Sequence, residues 1–313
     1  MSSNLAIIDL GTNTFHLLLA AADENGYRIT FRDRLAVKIG KGGINQGVIT
    51  PEGLSRALVA MQSFRNIIEE HGGAEKIYAF GTSALRSAAN REEVAERIRE
   101  LTGIEVNIIS GDEEAQFIYE GVRSAVGMGN DRSLIVDIGG GSVEFIIADQ
   151  NTVFWKKSIE IGAQRLLELF HRNDPISSEE IRQLDLYFDQ VLTPLSDALE
   201  KFPCHVLVGS SGSFDTFSDI FCARHEITKP PEELETPLSL EGFFEIYDEL
   251  IVKNRAERMV IPGMIEMRVD MIVVASCLVR YLIQRWNVTR IRVSTYSLKE
   301  GVLSSLIHQR LKL

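Results

Sequence analysis

The chain has 313 residues, of which 45% are hydrophobic and 25% charged, enough to bury a full core, and the usual domain size points to two domains. A formal charge of −11 argues against broad nucleic-acid binding, which needs basic surface to displace counterions. Three scattered cysteines, Cys204, Cys222 and Cys277, fit neither a disulfide framework nor a structural zinc site. They suit a reducing, cytoplasmic setting. The early apolar run Phe15 to Ala22 is too short to span a bilayer and follows Asp9, so neither a targeting signal nor a membrane anchor is expected.

The pattern predicts three strands first, Asn4 to Asp9, Phe15 to Ala21 and Tyr27 to Val37. A helix opens at Thr50-Pro51, carries Leu54, Leu58, Met61, Phe64, Ile67 and Ile68 at helical spacing, and stops at Gly72-Gly73. Strand Lys76 to Phe80 follows. A second helix is expected behind a capping box at Asn90-Arg91-Glu92-Glu93, then strand Ile104 to Ile109 and a third helix beginning near Ser110. The order is βββαβαβα.

The second half repeats it. Strands Arg132 to Asp137, Val143 to Ala148 and Thr152 to Ile161 precede helices from Gly162 to about Lys201, broken near Pro175 and bent near Pro194. Strand His205 to Val208, another helix, a polar loop over Lys229 to Pro237, a long helical region to about Trp286, strand Ile291 to Ser294 and a last helix to the C-terminus complete the chain. This alternation predicts an α/β fold with mainly parallel sheets, divided near Val126 to Asp131 into domains 1–126 and 127–313. The last helix is a candidate to pack back on the first domain.

Two Asp-Gly turns occupy matching places in the halves: Asp9-Leu10-Gly11-Thr12-Asn13-Thr14 and Asp137-Ile138-Gly139-Gly140-Gly141-Ser142. Each offers an acidic side chain followed by exposed backbone N–H groups, which is how a chain grips phosphate and metal together; a lone turn of this kind would equally be an ordinary hairpin. Asp137 and Glu144 lie seven residues apart across the glycine turn. Two hard carboxylates there suit Mg²⁺ or another divalent cation, with Asp9 completing the site directly or through water; a solvated strand residue is the competing reading of Glu144.

In Ser110-Gly111-Asp112-Glu113-Glu114-Ala115, Ser110 and Glu113 have capping-box spacing, which leaves Glu114 without a structural task. It is either one more acid at a helix N-terminus or a general base for water attacking phosphorus. Gly81-Thr82-Ser83-Ala84-Leu85-Arg86 offers hydroxyls, amides and a guanidinium that can fork onto phosphate, or is a plain strand-to-helix loop. Gly209-Ser210-Ser211-Gly212-Ser213 either cradles an anion before a helix at Phe214 or is a flexible loop. Neither ends in Gly-Lys-Ser/Thr, so neither is a nucleotide P-loop. The six histidines show no metal-ligand spacing, and Arg268 with Asp270 reads as a structural pair or a pair reaching the site.

Taken together, these segments, with Ile161-Gly162-Ala163 and Leu298-Lys299-Glu300-Gly301, resemble the exopolyphosphatase/guanosine pentaphosphate phosphohydrolase (Ppx/GppA) family of the sugar-kinase/Hsp70/actin superfamily, in a short two-domain form. The resemblance runs nearly end to end. It implies two RNase H-like domains flanking a central cleft, and a metal-dependent hydrolase that removes the terminal phosphate of inorganic polyphosphate. It implies Glu114 as catalytic base and Asp137 and Glu144 as metal ligands. Gly11, Thr12, Asn13, Thr14, Arg86, Gly139, Gly140, Gly141, Ser142, Ser211, Gly212 and Ser213 would bind phosphates. A homodimer is implied too. Gln116 and Lys299 stand where the family usually has Arg, and longer relatives add further domains, so short chains or guanosine pentaphosphate become credible substrates. Other readings are a guanosine pentaphosphate phosphohydrolase, a sugar or acid kinase of the superfamily, and a non-catalytic polyphosphate or alarmone sensor.

Overall fold

The computed structural model describes residues 4–23, 26–230 and 232–307. Its contacts cluster into two units, Met1–Glu120 with Leu298–Leu313, and Gly121–Ser297.

In the first unit, strands β1 (Asn4–Leu10), β2 (Thr14–Asp23) and β3 (Gly26–Ala36) form an antiparallel meander. Helix α1 (Pro51–Glu70) carries the chain across to β4 (Lys76–Gly81), which lies parallel to β1. Helices α2 (Ser83–Ser87) and α3 (Arg91–Thr102) lead to β5 (Val106–Ile108), parallel to β4, and helix α4 (Gly111–Ala125) follows. The sheet order is β3-β2-β1-β4-β5. Its core packs Phe15, Leu17 and Leu19 of β2 against Ala57, Met61, Phe64 and Ile68 of α1.

The second unit repeats the plan. Strands β6 (Ser133–Ile138), β7 (Val143–Ala148) and β8 (Val153–Ile159) form the meander, and α5 (Ala163–Phe170), α6 (Ser178–Val191) and α7 (Thr193–Lys201) connect it to β9 (Val206–Ser210). Helix α8 (Ser211–Arg224), the short strand β10 (Glu235–Thr236), helices α9 (Leu240–Val252), α10 (Arg255–Met259) and α11 (Ile272–Trp286) and strand β11 (Arg290–Ser294) follow. The sheet order is β10-β11-β9-β6-β7-β8. Helix α12 (Leu298–Ile307) belongs to the first unit, against β1 and β3.

Both units have the RNase H-like order, three antiparallel strands and then parallel ones reached through helices. The expectation of mainly parallel sheets is therefore corrected: β1–β2, β2–β3, β6–β7, β7–β8 and β10–β11 are antiparallel. In the two meanders, turns of a few residues cannot return a strand in the same direction, since a parallel return needs about a dozen residues or more; β10 instead reaches β11 through α9 to α11 and pairs with it antiparallel. The division into units falls inside α4, between Glu120 and Gly121, where the expected boundary was 126/127. The last helix is described as far as Ile307, so the expected run to the C-terminus, including His308, lies partly outside the described residues. Among the described residues, no helix is long and apolar enough to cross a membrane.

Two local expectations also change. Helix α3 begins after Asn90, but Asn90 does not cap it with its side chain. Its Oδ1 accepts from Ile49 N and its Nδ2 donates to Ile49 O, both at 2.9 Å, so the amide is spent on the loop before α1. Ser211 to Ser213 is the first turn of α8 and not a flexible loop preceding Phe214.

Candidate functional site

The first unit holds a turn, a short helix and a carboxylate. Between β1 and β2, Thr12, Asn13 and Thr14 are buried, at 3, 5 and 6% exposure. The Asn13 carbonyl accepts from Val37 N at 2.9 Å and Lys38 N at 2.8 Å, and the Thr12 carbonyl accepts from Gly40 N at 3.2 Å. Because a trans peptide points its N–H opposite to its C=O, these bonds turn the amides of Asn13 and Thr14 away from the β3–α1 connection. Gly11 is required where it stands, since a Cβ would lie 2.8 Å from the Thr14 carbonyl oxygen. Asp9 sits in register with His16 on β2 and Phe80 on β4.

Arg86 lies on α2 and Glu114 in the first turns of α4. Arg86 Nη1 donates to Glu114 Oε2 at 2.7 Å and to the Ile109 carbonyl at 3.4 Å. Glu114 is 7% exposed, and both the guanidinium and the N-terminal end of α4 complement its negative charge. Ser110 and Glu113 form the expected box: Glu113 Oε2 accepts from Ser110 N at 2.8 Å, and Glu113 N donates to Ser110 Oγ at 3.2 Å. That leaves the capping to Glu113 and joins Glu114 to Arg86.

In the second unit Asp137 and Glu144 are directly opposed on β6 and β7, so both side chains stand on one face. They are 4 and 1% exposed. Asp137 Oδ2 accepts from Ser210 Oγ at 2.5 Å and Ser297 Oγ at 2.8 Å, while Glu144 Oε1 accepts from Ser142 Oγ and Ser158 Oγ, each at 2.6 Å. Hydroxyls orient the two carboxylates but bring no charge. Like charges facing across a strand pair repel, and a hard divalent cation is the ligand such an oxygen set fits. Among the described residues no group of three or more His, Cys, Asp and Glu is arranged as a metal site. A cation on this pair would take its remaining ligands from water and phosphate, the usual habit of Mg²⁺.

The glycine turn after β6 is held by α5. The carbonyls of Gly139, Gly140 and Gly141 accept from the backbone N–H groups of Ala163 at 2.9 Å, Gln164 at 2.8 Å and Gly162 at 3.1 Å. Arg165 Nε adds a 2.8 Å bond to the Gly141 carbonyl. With the carbonyls facing α5, the amides of Gly140, Gly141 and Ser142 face the other way. Gly162 has no room for a side chain, because a Cβ would run into the Gly140–Gly141 peptide.

Ser211, Gly212 and Ser213 open α8, so their amides are helix N-terminal donors; Ser211 holds φ +74° and Ser213 is 2% exposed. Arg268, 8% exposed, lies against this turn: a Cβ on Gly212 would collide with its guanidinium. Asp270 instead accepts from Arg255 Nε at 3.0 Å. Ser297 is an addition to the sequence-derived set. Of the two sequence readings of Arg268 and Asp270, a structural pair or a pair reaching the site, the pairing does not form, and Arg268 alone lies against Gly212.

Comparison with known proteins establishes the family and the fold. The model of the Ppx/GppA phosphatase family matches residues 18–310. The crystal structure of an exopolyphosphatase from Cytophaga hutchinsonii is 42% identical, with a TM-score of 0.95 and 98% of each chain covered. The Aquifex aeolicus member of the Ppx/GppA family, at 22% identity, TM-score 0.80 and full coverage of both chains, shares the fold. A nucleoside triphosphate hydrolase structure from Neospora caninum, at 11% identity and TM-score 0.53, covers 99% of this chain and 93% of its own and shares the fold alone. On the family match and the 42% identity, the chain belongs to the Ppx/GppA phosphatase family and is an enzyme of the hydrolase class.

Proposed function

We propose that this protein is an exopolyphosphatase that hydrolyses the terminal phosphoanhydride of inorganic polyphosphate. The observation that carries this reading is the Arg86–Glu114 pair, a half-buried guanidinium able to hold phosphate oxygens and, bonded to it at 2.7 Å, a buried carboxylate able to take a proton from water. The similarity to the Cytophaga exopolyphosphatase supports the substrate class.

In this reading Glu114 accepts the proton of the attacking water, and Arg86 orients both that carboxylate and the phosphate being cleaved. The amides of Asn13 and Thr14, those of Gly140, Gly141 and Ser142, and those of the first turn of α8 are each disposed to receive phosphate oxygens. Asp137 and Glu144, oriented by their serine hydroxyls, would hold a divalent cation such as Mg²⁺, which when bound supplies charge neutralisation. Phosphoryl transfer depends mainly on positioning and electrostatics, so the clamping residues matter as much as the base.

The test is orthophosphate release, with and without Mg²⁺, from tripolyphosphate, long polyphosphate and guanosine pentaphosphate, by the native protein and by Glu114→Gln. Metal-dependent release from polyphosphate, lost in the variant, is expected. Preference for the guanosine nucleotide would reassign the substrate. Binding without release would turn the reading to a sensor.

A further inference from the structure

The chain carries a net charge of −11, yet residues 28–41 hold five basic residues, Arg28, Arg32, Arg34, Lys38 and Lys41, against one acid, Asp33. This segment is β3 and the turn that follows it, and that turn grips the first phosphate loop. Val37 N and Lys38 N donate to Asn13 O, and Gly40 N donates to Thr12 O. Lys38 is held at φ +49°, and Arg56 of α1 fixes the bend by donating from Nε to the Val37 carbonyl at 2.6 Å and from Nη2 to the Lys38 carbonyl at 2.7 Å. Non-glycine residues at positive φ persist only where their surroundings impose them.

The sheet register extends the same feature. Arg34 stands opposite His16, and His16 opposite Asp9, so the three share one face of the sheet in a single row. Two strand spacings put Arg34 about 10 Å from Asp9 along that row. Arg32, two residues away on the same face, meets Glu300 of α12 at 3.5 Å, which identifies this as the face that α12 covers. Arg34 and Lys41 are exposed, and among the described residues neither forms an ion pair. Basic residues on an edge strand also deter edge-to-edge pairing, but that task needs no connection with a phosphate loop.

We propose that Arg34, Lys38 and Lys41 form an anion track on the first unit, running from the β3–α1 turn that holds the Gly11–Thr14 loop to the β3 edge, that takes the distal phosphates of a linear polyphosphate. This rests on the exopolyphosphatase reading and extends it. It departs from the expectation of short substrates, because a track leading away from the terminal phosphate rewards longer chains.

The test is calorimetric binding of tripolyphosphate and of long polyphosphate across a salt series, without divalent metal, to the native protein and to Arg34→Glu/Lys41→Glu, with circular dichroism to confirm folding. Arg34→Gln/Lys41→Gln serves if charge reversal disturbs the fold. The double variant is expected to bind long polyphosphate about tenfold more weakly and tripolyphosphate far less changed. Its slope of log affinity against log salt should flatten by about 1.4, two cations at the single-strand value of roughly 0.7 each. Equal affinity and slope in native and variant would overturn the track, as would an equal loss for both ligands or failure of the native protein to bind long polyphosphate. Binding that follows the expected pattern in a protein releasing no phosphate would uphold the track and reject the exopolyphosphatase reading.

Discussion

Arg86 and Glu114, 28 residues apart in sequence, come from two helices and meet in a 2.7 Å charge-assisted hydrogen bond. In the proposed mechanism the pair couples a phosphate-binding group to a proton acceptor, and the bond means that movement of one reorients the other. Neither helix could arrange this alone. Helix α2 follows β4 and α4 follows β5, and the parallel pairing of those strands brings both helix starts to the same end of the sheet.

Glu114→Gln keeps the shape of the side chain and an oxygen to accept from Arg86, but it removes the proposed base. Turnover should fall by about 100-fold or more while the thermal midpoint stays near the native value. Phosphate-release assays beside a melting curve test this, and undiminished turnover would remove Glu114 from the mechanism.

Arg86→Ala leaves the buried Glu114 carboxylate without its guanidinium, and should cost about 2 kcal/mol of stability in addition to activity. In a double-mutant cycle with Glu114→Gln, the loss caused by Arg86→Ala should be smaller by about 1 kcal/mol in the Gln background, where no buried charge is left unpaired. An equal loss in both backgrounds in urea unfolding would show that the carboxylate's charge adds nothing to the pair.

Gly162→Ala tests the seating of the glycine turn on α5. The added Cβ meets the Gly140–Gly141 peptide, where backbone and not a flexible side chain has to give way. Overpacking of this kind costs about 1–3 kcal/mol, and the turn should shift with it, raising KM for polyphosphate. An unchanged KM in a stable variant would mean that this turn does not hold phosphate.

Much of this was legible in the sequence, and the exceptions have physical causes. Helix α1 runs from Pro51 behind the Thr50 cap to a stop where Gly72 and Gly73 have φ of +91° and +78°, because cap and terminator chemistry is local. The Ser110–Glu113 box formed for the same reason. Asn90 did not cap α3, since Ile49, 41 residues away, offered both a donor and an acceptor to its amide. Helix α2 has only five residues, too few for an apolar repeat. The contact of Arg268 with Gly212 depends on how the 260–271 turn packs on α8, which no sequence period encodes.

Asp137→Asn removes half of the charge from the β6–β7 carboxylate pair while keeping an oxygen for Ser210 and Ser297. The Mg²⁺ concentration for half-maximal activity should rise by about tenfold or more, and Ser297→Ala should produce a smaller rise because it only loosens the orientation of Asp137. Metal titrations of phosphate release measure both. A titration unaltered by Asp137→Asn would place the cation elsewhere.

Glu180 gives a pH prediction with a definite sign. Burial pushes its carboxyl up, but hydrogen bonds from the Ser177 backbone and hydroxyl and from the backbone of Asn173 and Arg172 outweigh that and bring it from 4.5 down to about 2. The donor distances are 2.7 to 3.0 Å, and the tie fixes the connection between α5 and α6. A carboxylate depressed in the folded state contributes stability that is complete above its unfolded value and is lost as pH falls toward the folded one. Glu180→Gln should therefore destabilise the protein near neutral pH by about 1–2 kcal/mol after allowance for solvent screening, a few degrees in Tm. The gap between native and variant should narrow below about pH 4.5 and close near pH 2, where the native side chain is also protonated. Because the bonds of Glu180 go to Arg172, Asn173 and Ser177 and to none of the proposed phosphate-binding turns, phosphate release at neutral pH should stay within about twofold of native, well below the loss expected of a general base. A stability gap that persists unchanged down to pH 2 would show that the ionised carboxylate is not what holds the α5–α6 connection.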